Sequence, residues 1–313
     1  MNQMASHMAA MPHQQRRIFD FMKLRSVMMT LSFLAVSVAV VIIAQRGINY
    51  GIDFLGGLKL TYQFVDATQE VSDGAIQKLL GDKGIVAQVQ RFGGEKTVAR
   101  YLVKVKAPNV PQEELIASIT STLTEAFGPK TLLEGEETVG PSVGRELRIK
   151  GEKTVLYILI AMLLYIGFRF DFLFAPGAVI ALIHDVTITL GVLAFLGIEY
   201  NLTILAALLT IAGYSINDTI IVYDRIREHA KAVTPETVGA VINRSLSETL
   251  PRTLLTSLTT LVAVGVLWLI AGGDIENFAF TFMIGIIVGT YSSIYIASPL
   301  YSSLYRKWPS KRA

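Results

Sequence analysis

Cysteine is absent from all 313 residues. That single absence removes a disulfide framework, a thiolate metal site and a cysteine nucleophile, and it suits a chain with one domain outside the membrane. Histidine is nearly as scarce. There are four, two of them at His7 and His13 in the tail, so a histidine-rich metal cluster is not expected. No P-loop is present, and Gly56-Gly57 is not followed by a phosphate-binding pattern, which argues against nucleotide hydrolysis. Neither a metal nor a cofactor is read from these residues. Charge is the last shortage: Asp, Glu, Lys and Arg make up 17% of the chain, against about 25% in an ordinary soluble domain.

Apolar residues fill the difference, at 52% of the chain, and they are gathered in runs. A helix that crosses a bilayer needs about 20 mostly apolar residues. Basic residues Arg16, Arg17, Lys23 and Arg25 precede such a run, Val27 to Ala44. It is longer than the apolar part of a signal peptide and lacks a small-x-small cleavage site. We read an uncleaved first transmembrane helix over 26–45, after an unstructured tail over 1–25 whose opening residues are an alternative start or a cloning remnant. Further spans are expected at Thr154–Phe168, Phe172–Leu196, Leu202–Tyr223, Leu254–Ile270 and Phe278–Leu304, giving six transmembrane helices with five of them within 151–305.

Residues 46–150 have another character. Leu58 to Phe64 alternates as a strand, Val71 to Leu80 is a short amphipathic helix, and Ile85 to Phe92 alternates again. Gly93-Gly94 breaks into a strand over Thr97 to Val105. Pro111 opens a helix through Phe127, and Thr131 to Val139 is a last weak strand. The order βαββαβ is that of a small α+β ferredoxin-like unit.

Orientation follows from Lys and Arg. They populate the N-terminal tail, the 224–252 connection (Arg225, Arg227, Lys231, Arg244, Arg252) and the C-terminal tail over 306–313. The opposite turns carry only Glu199, Asp274 and Glu276. The positive-inside rule puts both termini in the cytoplasm and exports the 46–150 domain. Within the cytoplasmic connection, Thr234-Pro235-Glu236 reads as a helix start. Val238, Val241, Ile242, Leu246 and Leu250 then give an amphipathic helix at about 235–250. It lies on the membrane surface or docks a cytoplasmic partner.

The fourth span holds Asn217 and Asp218. An aspartate at a membrane helix centre costs about 2.5 to 3.5 kcal/mol and usually faces a bundle interior or a hydrated path. The plain alternative is that Asp218 sits near the helix end and reaches the interface. Pro251-Arg252 is expected to open the next span, so Arg252 either pairs with Asp218 or anchors at the headgroups. His184-Asp185 lies mid-span in the third helix, and Asp185 serves either a proton path or helix–helix hydrogen bonding. Ser215, Asn217 and Thr219 line a hydrated route or simply hold helices together.

Five stretches in order resemble the SecD/SecF family of protein-export membrane proteins, on its SecF side, within the resistance-nodulation-division superfamily. They are Gly51-Ile52-Asp53-Phe54-Leu55-Gly56-Gly57; Val139-Gly140-Pro141-Ser142-Val143-Gly144-Arg145-Glu146-Leu147; His184-Asp185-Val186; Gly213 to Asp218 through Arg225; and Arg252-Thr253-Leu254 with Thr256-Ser257. The resemblance implies a bacterial inner-membrane subunit that partners SecD and assists SecYEG and SecA, with YajC and YidC as further associates. It implies action on unfolded preprotein, with no enzyme activity, driven by a proton or sodium gradient. It implies a proton pathway through Asp218 and Arg252, with Asp185 and Asn217 beside it, and makes Gly51, Asp53, Gly56, Gly57, Gly140 and Gly144 family motif positions. Membrane lipid is an expected contact and nucleic acid is not, since the basic tails are short and lie by the membrane. Two other readings stand against it, a scaffold subunit that transports nothing and half of a small-molecule efflux pump.

Overall fold

The computed structural model describes residues 18–67, 70–91, 98–106, 111–170, 172–229, 234 and 236–308. The expected Gly93-Gly94 break, the Pro235 helix start and the tails over 1–17 and 309–313 lie outside the described residues.

A 3₁₀ turn, Phe21–Leu24, leads into α1, Arg25–Arg46. The sequence suggested no structure before residue 26, yet this segment is tied down. Phe19 N–H donates to Ser247 Oγ and Met22 N–H to Asn243 Oδ1, both at 2.9 Å. After α1 come the short α2, Ile52–Leu55, and the sheet domain. Its elements are β1 Gly57–Val65, α3 Asp73–Asp82, β2 Ala87–Arg91, β3 Val98–Lys106, α4 Gln112–Phe127 and β4 Thr131–Val139.

The sheet order is β2-β3-β1-β4, antiparallel throughout, as a ferredoxin-like βαββαβ unit requires. Alternation sorts its two faces. Leu58, Leu60, Tyr62 and Phe64 of β1 join Tyr101, Val103 and Val105 of β3 in a core with Ile76 and Leu80 of α3 and Leu115, Ile119 and Leu123 of α4. The intervening residues, Lys59, Lys104 and Lys106 among them, lie on the face turned from the two helices. Ser72 caps α3 by accepting from Ala75 N–H.

The remaining helices are α5 Pro141–Arg169, α6 Ala175–Leu196, α7 Leu202–His229, α8 Val238–Ile270, α9 Gly273–Ser292 and α10 Ser298–Lys307, with a π-helical turn, Ser293–Ala297, between the last two. Among the described residues six helices are long and apolar enough to cross a membrane, counting α9 through α10 as one.

Several helix ends differ from the expected spans, and two of them matter most here. The helix that holds the expected second span begins at Pro141, ahead of Thr154, because the polar stretch Arg145 to Lys153 is also good helix former and extends it. The amphipathic segment and the fifth span are one helix, α8, with Pro251 inside it and not at its start. Proline's fixed φ is helical, so only one backbone bond is lost, and Ser and Thr hydroxyls in membrane helices compensate for such losses. Pro251 leaves the Ser247 carbonyl without its backbone donor; in the turns before it, Ser247 Oγ and Thr249 Oγ1 bond the carbonyls of Asn243 and Ser245, at 2.7 and 2.9 Å.

Candidate functional site

Glycine and serine set the spacing at the centre of the bundle. Helix α9 carries Gly285 and Gly289, and the π turn opens on Ser293, at four-residue intervals, the small-xxx-small pattern that lets membrane helices close up. A Cβ on Gly289 would come within 2.9 Å of Ser215 Cβ. That approach puts Ser292 of α9 and Ser215 of α7 within reach of one acid on α6.

The acid is Asp185, with no exposed surface. Its Oδ2 accepts from Ser215 Oγ at 2.6 Å and from Ser292 Oγ at 2.8 Å. Its Oδ1 lies 2.9 Å from His184 Nδ1. The imidazole stacks on Tyr291 at 6.1 Å between ring centres, and the Tyr291 hydroxyl donates to the Met28 carbonyl at 2.8 Å while contacting Ser32 Oγ at 2.7 Å. Polar contacts thus run from α1 through α9 and α6 to α7. The π turn begins directly after Ser292, and such turns often mark functional segments of helices.

Asp218 follows Ser215 by one helical turn on the same face of α7. It is 1% exposed, and neither carboxylate oxygen has a hydrogen-bond partner. Ser257 and the Arg252 guanidinium are the groups whose influence reaches it, and Ser257 Oγ also shares a hydrogen bond with Thr290 Oγ1, 2.8 Å away. Thr253 Oγ1, also buried, is likewise without a partner. An ionised carboxylate in such a place is uncompensated by the protein.

The structure places Asp218 one turn along α7 from the Ser215 that bonds Asp185, and Thr219 lines the same face, its Oγ1 donating to the Ser215 carbonyl at 3.2 Å. It does not bring Arg252 into an ion pair with Asp218. Because α8 runs unbroken through Pro251, its buried face is Thr249, Thr253 and Ser257, and Arg252 projects from an exposed flank. There it helps line a 290 Å³ pocket with Arg169, Asp224 and Arg225. Asn217 is also on the outer surface of its helix, about 100° round from Asp218.

The glycine motifs form a second centre. Asp53 Oδ2 accepts from Leu202 N–H at 2.9 Å and so caps α7, while Gly51 N–H donates to the Tyr200 carbonyl at 2.9 Å. Gly56 and Gly144 let α2 and α5 touch: a Cβ on Gly144 would sit 2.9 Å from Gly56 N. Gly57 packs beside them against Val105. Gly140 has open space around it and simply precedes α5. Sequence reasoning missed Ser292 and Tyr291, although a Ser-Ser doublet inside an apolar run was a usable signal. Among the described residues no group of three or more His, Cys, Asp or Glu could hold a metal ion.

Comparison with known proteins covers most of the chain. Residues 119–307 match the model of the protein export membrane protein SecD/SecF C-terminal region, and residues 41–67 match the SecD/SecF GG motif. The chain is 42% identical over 290 residues to a protein translocase subunit SecF of Desulfurispirillum indicum, covering 90% of each. It is 38% identical to SecF of Escherichia coli O157:H7, over 93% of this chain and 90% of that one. It is similar to the crystal structure of SecDF, a translocon-associated membrane protein from Thermus thermophilus, with a TM-score of 0.79 and 35% identity. That match covers 96% of this chain and 40% of the solved one.

Proposed function

The chain belongs to the SecD/SecF family of protein-export membrane proteins, on its SecF side, and from that premise we propose that it couples the flow of protons to the outward movement of preproteins. The observation that carries this reading is Asp218, buried in the bundle with no partner and one turn from the Ser215 that bonds Asp185. A group so placed gains most from binding and releasing a cation. Ser215, Thr219 and Asp185 supply oxygens along one side of the route. The pocket lined by Ile221, Asp224 and Arg252 lies one turn farther along α7 and serves as the exchange point on that side.

Moving one charge across 100 mV releases about 2.3 kcal/mol, enough to bias a conformational equilibrium of a few kcal/mol. Arg252, exposed and free to swing, pairs with Asp218 transiently during the cycle. The termini face the cytoplasm and the sheet domain faces outward, as the distribution of Lys and Arg supports. The Thermus relative carries SecD and SecF in one chain, which supports a SecD partner here. SecYEG and SecA, with YajC and YidC, are the assembly around that pair.

A register-fixing role suits Asp185 alone, since three polar groups already satisfy its carboxylate. Proton entry into vesicles holding the complex with SecD, followed with a pH-sensitive dye under an imposed gradient, tests the reading. Asp218→Asn is expected to abolish entry, and entry unchanged by that substitution overturns the proposal. Flux that follows sodium and not protons overturns the choice of ion.

A further inference from the structure

The polar face of the sheet is not built for water. One cross-strand row runs Gln88, Lys104, Lys59, Glu137 across all four strands. Lys59 and Lys104 stand directly opposite each other, and facing like charges destabilise a sheet. Lys104 is nevertheless only 5% exposed.

The compensating acids come from the membrane bundle. Asp274, in the first turn of α9, sits between the two lysines, 2.7 Å from Lys104 Nζ and 3.7 Å from Lys59 Nζ. Glu199, in the turn joining α6 and α7, is 2% exposed and lies 3.4 Å from Lys104 Nζ and 3.0 Å from Lys106 Nζ. Asn201 ties the two turns together. Its Nδ2 donates to Asp274 Oδ1 and its Oδ1 accepts from Ile204 N–H, each at 2.9 Å. Lys106 also donates to Asn49 Oδ1 at 2.7 Å.

We propose that this cluster is a clamp, and that the sheet domain moves as one body with the outer end of α9 and the α6–α7 turn. It is not an arm on a flexible linker. Helix α9 then joins two centres: Asp274 at one end holds the sheet domain, and Ser292, about 27 Å along the helix, bonds Asp185. A change at the buried acids reaches the exported face through a rigid helix. The inference rests on the proposed function only in taking that face as the one that meets substrate; the clamp itself is read from distances.

The chain has no cysteine, so two introduced ones are its only labelling sites, and the SecD partner is used in a cysteine-free form. Spin labels at Ser118, exposed on α4, and Ile275, 49% exposed on α9, are placed in the full chain with its SecD partner in lipid vesicles. One narrow distance is expected, unchanged when a proton gradient is imposed. Lys104→Met and Asp274→Asn are each expected to lose that single peak, while Lys130→Ala, on the far edge of the domain, keeps it. A broad or gradient-dependent distance in the unaltered protein overturns the clamp, as does a peak that stays narrow in both variants. Because no export is measured, a failed clamp is distinct from a failed coupling mechanism.

Discussion

Lys104 Nζ lies 2.7 Å from Asp274 Oδ1, joining the middle of a β-sheet to the first turn of a membrane helix. Lys130 and Asp66 are separated by the same 2.7 Å, but at 63% and 62% exposure. Burial, not distance, separates the two pairs.

Removing Lys104 takes from Asp274 its nearest cation and leaves it Lys59 at 3.7 Å, while Glu199 keeps Lys106 at 3.0 Å; breaking a buried pair from one side costs up to about 3 to 5 kcal/mol. Lys104→Met is expected to lower the denaturation midpoint of the detergent-solubilised protein accordingly. Lys130→Ala is expected to change stability by less than about 1 kcal/mol. Equal losses from the two variants contradict the assignment.

The clamp also has a pH signature. Burial alone would lower the pKa of Lys104, but Asp274 and then Glu199 outweigh it and hold the group above its usual value. A raised folded-state pKa gives stability that is fully present below the unfolded value, about 10.4 for lysine. It is lost as pH rises through the folded value. Stability is therefore expected to hold from neutral pH to the unfolded value and to fall between it and the folded value. Lys59, Lys106, Glu199 and Asp274 face the same group, so Lys104→Met should shrink the alkaline loss without erasing it. An unchanged alkaline limb in Lys104→Met counts against the clamp.

Gly144 predicts a steric outcome. A methyl group there meets Gly56 N at 2.9 Å and the Phe54 carbonyl carbon at 3.0 Å, and overpacking of this kind costs about 1 to 3 kcal/mol. Gly144→Ala should loosen α5 from α2, seen as a lower melting temperature. Gly140→Ser, with nothing within 4 Å of the added Cβ and a hydroxyl able to cap α5, should be neutral or slightly stabilising.

These contrasts mark what was legible in the sequence. Alternation in Leu58 to Phe64 located β1 and its core face, and it also showed that Lys59 points away from that core. It said nothing of Asp274, more than two hundred residues later, which explains why Lys59 can sit opposite Lys104. The run from Leu202 located α7 and drew attention to Asp218, because an acid inside an apolar span is conspicuous on its own. The donors to Asp185 were less visible, since Ser215 and Ser292 gain meaning only when α7 and α9 close together over Gly289. Reading Pro251 as a helix start put Arg252 at the wrong point. Continuous phase through Thr249, Thr253 and Ser257 turns that side chain outward.

The two intramembrane acids should behave differently on neutral substitution. Asp185→Asn disturbs acceptance from both Ser215 and Ser292, and a buried hydroxyl left unpaired costs about 1 to 3 kcal/mol. Asp218→Asn breaks no hydrogen bond, so its melting temperature should stay near that of the unaltered protein. A large loss of stability in Asp218→Asn would show that the acid holds the helices together.

The most direct measurement is preprotein export in cells whose only copy carries Asp218→Asn, with membrane abundance and SecD association followed in the same cells. The account predicts export reduced to the level of cells lacking the protein, at normal abundance and assembly. Export at the normal rate would contradict it and leave the bundle as a scaffold.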